Sequence, residues 1–122
     1  MSAFDHVAGI PPTRISDGVS ARAVHGQNVS LGVIEFQPGA GVPEHSHANE
    51  QLGVLLQGSM TFRIGDESRV VEPGDTWCIS AHVPHEVVAA GPDGAVAAEV
   101  FSPPRHDWSS LDRLEPGPGR WP

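Results

Sequence analysis

Between residues 19 and 101 the chain is built from short apolar runs cut by Gly, Pro and Asp. Eight such runs have the length and composition of strands: 19–26, 29–37, 51–57, 60–65, 68–72, 75–80, 85–90 and 95–101. Each is rich in Val, Ile or Phe and ends in turn chemistry such as Pro-Gly, Gly-Asp or Gly-Pro-Asp-Gly. The stretch Ile64-Gly65-Asp66-Glu67 predicts a tight hairpin with Gly-Asp at its turn. Apolar residues at helical spacing occur only over 107–114, where Asp107 would cap a short helix with Trp108, Leu111 and Leu114 on one face. The tail 115–122 is too rich in Pro and Gly for regular structure and is expected to be loose or draped on the surface. The pattern predicts a single all-β domain over 1–122, a sandwich or small barrel. Its core would span 19–101, with a C-terminal segment, 102–122, holding the short helix or loop.

Composition narrows what such a domain can do. The formal charge is −8, with 15 acidic residues against seven Arg that do not cluster, so nucleic acid and anionic membrane surfaces are excluded as partners. A small anion held by one or two arginines fits. There is no Lys and no Tyr, which removes Schiff-base chemistry and tyrosine acid–base chemistry. The single cysteine, Cys78, cannot form a disulfide within the chain. The first residues show no basic region followed by an apolar core, and no apolar run nears the roughly 20 residues that span a bilayer. A cytoplasmic protein is the expectation. His, carboxylates, Arg and a metal remain as the candidate chemistry.

Of seven histidines, His6, His25 and His106 are isolated and expected at the surface. His45 and His47 are two apart, so on an extended chain their imidazoles point the same way and can converge on one ion. Glu50 and Gln51 follow directly, and His82 and His85 come later in a turn-bounded run. On the pair alone, a metal site and a polar strand edge are both open. Ala97, Glu99 and Phe101 alternate along the last run and share one face, which predicts a carboxylate either buried among apolar neighbours or paired with an arginine at a rim.

The stretch Gly39 to Gly58 resembles the first motif of the cupins, small double-stranded β-helix (jelly-roll) barrels. That motif runs Gly, five residues, His-x-His, three or four residues, Glu, six residues, Gly. Here His45 and His47 fit, and counting back from Gly58 puts Gln51 at the glutamate position. The second motif is degenerate: Gly74 and His85 fit, while Ser80, His82 and Ala89 replace its Pro, Gly and Asn. The resemblance implies one divalent transition metal per chain (zinc, nickel, manganese or iron) and a homodimer. A glutamine ligand with three neutral imidazoles leaves such an ion its full +2 charge, which strengthens it as a Lewis acid.

Together with "PGDTWCISAHVPHEV" and "AVAAEVFSPPR", the motif is similar to one branch in particular, the pectin- and alginate-degradation cupins that linearise 4,5-unsaturated uronates. That likeness implies His45, His47, Gln51 and His85 as metal ligands and Glu99 as the catalytic carboxylate, where the branch usually has Asp. Phe101 would line the substrate pocket and Arg105 would hold the carboxylate of an anionic sugar acid. The implied activity is that of an isomerase or lyase that opens and ketonises a small, oxygen-rich acid. Two alternatives stay open: a metal-dependent dioxygenase, and a non-catalytic cupin that binds a sugar or other small molecule.

Overall fold

A computed structural model describes residues 2–122. Among these residues eight strands form: β1 (Thr13–Ser16), β2 (Val19–His25), β3 (Ser30–Phe36), β4 (Val42–His45), β5 (Glu50–Ile64), β6 (Glu67–Val71), β7 (Thr76–Ile79) and β8 (His85–Ser102). All named pairings are antiparallel. The architecture is an all-β jelly-roll barrel: the run pattern predicts an all-β sandwich or small barrel, and the motif resemblance implies the jelly roll.

Two pairs of expected runs merge. Residues 51–57 and 60–65 become the single strand β5, and 85–90 and 95–101 become β8. Gly58 and Gly94 have φ of +76° and +71°, a conformation open to glycine, so the chain bends there without leaving the sheet. The first half of β5 pairs with β7 and with the second half of β8, which continues to β3, β2 and β1. The second half of β5 pairs with β6 and with the first half of β8, which also carries β4. Each long strand thus serves both walls of the barrel. Gly65 (φ +57°) and Asp66 make the two-residue turn between Ile64 and Glu67.

Strand alternation fills the interior. Leu55, Ile34, Phe36, Ile79, Ala97 and Phe101 are all essentially inaccessible to solvent and belong to one apolar cluster.

The C-terminal segment differs from expectation. In place of a helix over 107–114 there is one 3₁₀ turn, His106–Ser110, with Arg105 at its cap position. Asp107 binds the Arg105 guanidinium instead of capping, and only Trp108 of the three apolar residues is buried. Leu111 and Leu114 stay more than one-third exposed because the chain beyond Ser110 extends along β1. There Arg14 N–H donates to the Asp112 carbonyl and Leu114 N–H to that of Pro12, replacing the helical bonds. Of the two expectations for the tail, it is draped: Arg120 Nη1 donates to the carbonyls of Phe36 and Asp93, and its backbone N–H to Glu35 Oε1.

Candidate metal centre and its carboxylate

His45 ends β4 and His85 begins β8, and the two residues are register partners across that pairing. His47 lies two residues beyond, in the connection to β5. Strand geometry therefore brings three imidazoles together. Their ligand nitrogens all lie within 4.8 Å of one another, and His45–His85 and His47–His85 ring centroids are 4.2 and 4.9 Å apart.

The hydrogen bonds fix which nitrogen is free. Each Nδ1 faces a backbone carbonyl: His45 that of Pro43 at 2.8 Å, His47 that of Asn49 at 2.9 Å, and His85 that of Val83 at 2.9 Å. A carbonyl only accepts, so each Nδ1 carries the proton and each neutral ring keeps its Nε2 lone pair. Burial pushes His85 down to about 4, and burial with the nearby Arg105 charge lowers His47. Both rings are therefore neutral at pH 7. His85 Nε2 is buried with no hydrogen-bond partner. A buried polar atom left in that state costs about 1–3 kcal/mol, and a cation would remove the cost.

Gln51 supplies a second test of fit. It faces inward on β5, whereas Glu50 is exposed, so no bulge brings the Glu50 carboxylate into the site. The Gln51 amide nitrogen donates to Glu99 Oε2. That bond turns the amide oxygen toward His47 Nε2, 3.0 Å away. Two lone-pair-bearing atoms then face each other, which is unfavourable unless a cation lies beside both. Ligands about 2.1 Å from one ion and at right angles to each other stand about 3 Å apart. The donor set of three imidazoles and an amide oxygen fits a divalent transition metal.

Glu99 is buried on β8 beside this group and shares its inward face with Ala97 and Phe101. Burial raises its pKa, partly offset by donors from Gln51 and from Trp77 Nε1, 2.9 Å from Oε2. Phe101 lies edge-on to His47 and to Trp108, with centroids 6.1 and 5.2 Å away. The Arg105 guanidinium carbon is 4.9 Å from the Phe101 ring centre and 4.6 Å from that of Trp108. Asp107 takes its Nε and one Nη2 proton at 3.1 and 3.0 Å, which leaves the Nη1–Nη2 edge as a two-pronged donor. A cavity of about 50 Å³ touches His45, Gln51, His85, Glu99, Phe101 and Arg105. A wider groove of about 310 Å³ lies elsewhere, along β6 and β7, and holds none of the histidines.

The structure brings His45, His47, Gln51, His85, Glu99, Phe101 and Arg105 together, leaves Glu50 and His82 outside, and adds four residues that the sequence did not reveal. Trp77 holds Glu99. Asp107 and Trp108 hold the Arg105 side chain, and Ser30 Oγ accepts the Arg105 backbone N–H at 2.9 Å. Strand parity predicts that Trp77 points inward. Its partner depends on a register between β7, β5 and β8 that no local pattern encodes. His82 remains outside the centre: its backbone takes φ +68° and its N–H donates to the His47 carbonyl.

Comparison with known proteins agrees with this architecture. The family model described as "Cupin domain" matches residues 32–101, and the chain belongs to that family. No curated protein sequence matches the chain. Among solved structures, KdgF from Halomonas sp. is 27% identical with a TM-score of 0.76, covering 88% of this chain and 98% of that one. An RmlC-like cupin from Shewanella frigidimarina is 23% identical with a TM-score of 0.79 over 88% and 96% of the two chains. The polyketide cyclase RemF from Streptomyces resistomycificus is 23% identical, with a TM-score of 0.71 over 84% and 80%.

Proposed function

We propose that this protein is a metal-dependent isomerase or lyase that opens and ketonises a small carboxylate-bearing sugar, in its sharpest form a 4,5-unsaturated uronate. One observation carries the reading. The amide that offers its oxygen to the histidine cluster is bonded through its nitrogen to a buried carboxylate. A Lewis-acid position and a proton carrier are then one side chain apart. The motif likeness to the uronate-linearising cupins and the 27% identity to KdgF support the same choice.

His45, His47, Gln51 and His85 would hold the ion, which when bound supplies electrostatic stabilisation to an oxygen that gains negative charge. The chain's own groups do the rest. The Nη1–Nη2 edge of Arg105 receives the substrate carboxylate, and stacking on Phe101 and Trp108 keeps that edge fixed. Glu99 takes the proton of the anomeric hydroxyl, the bond from the anomeric carbon to the ring oxygen breaks, and that carbon becomes a carbonyl. The electron pair passes to the ring oxygen and through the double bond to carbon 4. Glu99 returns its proton there, giving the linear keto acid with no net gain or loss of atoms. Burial raises its pKa above the usual carboxylate value, which eases its protonation and suits a group that both accepts and returns a proton.

The proposed assembly is a homodimer, supported by a row of exposed apolar residues on the barrel's outer face (Val24, Leu31, Val100 and Leu52).

The test has two stages. Elemental analysis of tag-free protein should find about one zinc, nickel, manganese or iron per chain, lost in a His45→Ala, His85→Ala double variant. Loaded protein should then remove the ultraviolet absorbance of a 4,5-unsaturated galacturonate faster than the spontaneous rate. Oxygen uptake would favour a dioxygenase, and absence of metal from both proteins after soaking with divalent ions would overturn the catalytic reading.

A further inference from the structure

Glu99 belongs to a row of register partners that crosses three strands. Trp77 on β7 pairs with Gly53 on β5, and Gly53 pairs with Glu99 on β8. All three lie on the inward-facing set, in step with Ile79, Gln51 and Phe101 two residues along. Between two large side chains, position 53 carries none. A Cβ placed there would collide with Cε2 and Nε1 of the Trp77 indole. The indole therefore lies over the backbone of β5 and delivers its N–H to a carboxylate one strand further on, 2.9 Å away.

Most of this side chain is ordinary core: Trp77 is 7% exposed and meets Phe62 edge-on at 5.2 Å. A buried indole N–H needs an acceptor, and here the acceptor is a carboxylate in the site. Gln51 donates to the same atom, Oε2. Oε2 thus receives two N–H groups, while no side chain or backbone group donates to Oε1 among the described residues. The oxygen left for a molecule in the cavity is decided by the two donors on the other one.

We propose that Trp77, laid across Gly53, is a positioning residue that turns Glu99 so that Oε1 alone meets the substrate. Its kinetic consequence rests on the ring-opening reading; its geometry does not. Trp77→Phe keeps an aromatic ring and removes the donor, and Gly53→Ala displaces the indole. Both should lower kcat on a 4,5-unsaturated galacturonate by about 10- to 100-fold, with KM within about twofold and metal content per chain unchanged. A purely packing role would lower the melting temperature and leave kcat of the folded enzyme at its wild-type value.

A second measurement needs no turnover. The three tryptophans give three indole N–H signals, and Trp77 is the one lost in Trp77→Phe. Glu99→Ala should shift that signal alone among the three and speed its solvent exchange at least about tenfold. An indole signal indifferent to Glu99→Ala, or wild-type kcat in Trp77→Phe, overturns the proposal. Should the wild-type protein open no uronate with any of zinc, nickel, manganese or iron, the ring-opening reading fails, and the indole signal decides the positioning by itself.

Discussion

The amide at position 51 sets the electrostatics of the whole site. As a neutral donor it adds nothing to offset a divalent ion, and its other end restrains Glu99. Gln51→Glu would place a second carboxylate against Glu99, and two like charges at hydrogen-bond distance cannot both ionise readily. The expected outcome is tighter metal binding, by at least about tenfold in competition against a chelator, with turnover lower by a similar factor. His85 gives a pH prediction for the metal-free protein. Its pKa falls from 6.5 unfolded to about 4 folded. The unfolded chain then binds the extra proton between those values, so stability is fully present above about 6.5 and is lost as pH falls toward about 4. Urea denaturation of apo protein across that window should show the slope, and His85→Leu should flatten it. His82 adopts φ +68°, a conformation unfavourable to a side chain, at the position where the second cupin motif has glycine. His82→Gly should stabilise the fold by up to about 1 kcal/mol in the same assay.

At the level of elements, most of the barrel was legible because a half-buried strand alternates with period two. The runs for β2, β3, β6 and β7 fall within a residue or two of their observed ends. The merging of runs into β5 and β8 was not legible, since Gly58 and Gly94 look like turn glycines and act instead as bends inside continuous strands. Strands β1 and β4 were missed: four residues each, with Pro43 inside β4, they carry too little apolar pattern. The helix expected at 107–114 failed because Leu111 and Leu114 satisfy a helical spacing while their backbone finds partners on β1. The candidate site was legible where motif spacing is local, at His45, His47, Gln51 and His85. It was illegible where it depends on register, at Trp77 and Gly53, or on a return of the chain, at Ser30. Arg63 illustrates the second kind. On β5 it reaches Glu44 at 2.6 Å and Glu86 at 3.1 Å, the neighbours of His45 and His85. Arg63→Ala should weaken metal binding a few-fold in dilute buffer and less at high salt, because these ion pairs face solvent.

Across the whole molecule, the outer face of one wall carries a second register row. Val24, Leu31, Val100, Leu52 and Cys78 lie on five adjoining strands, each opposite the next, and all are exposed. A contiguous apolar stripe of that kind is unusual on a monomer, whereas the chain's charge of −8 disfavours association through most other surfaces. Light scattering should report twice the chain mass, and Leu31→Asp with Leu52→Asp should halve it without loss of metal. A monomeric wild-type protein would remove the dimer from the proposal and leave the site untouched.

The pairing of His45 with His85 has a consequence for how the barrel opens. Strand β4 is four residues long, pairs among the described residues only with β8, and has a break in register between Val42 and His45. An ion gripped by both histidines would act as a rivet at the weakest seam. Amide hydrogen exchange in β4 should slow selectively as metal is added, while the long strands barely respond. The temperature of unfolding should climb with the logarithm of free metal, reaching about 4 kcal/mol of added stability at a thousand times the dissociation constant. Scarcity of the ion would then be felt first as a loosened seam, ahead of any loss of the fold.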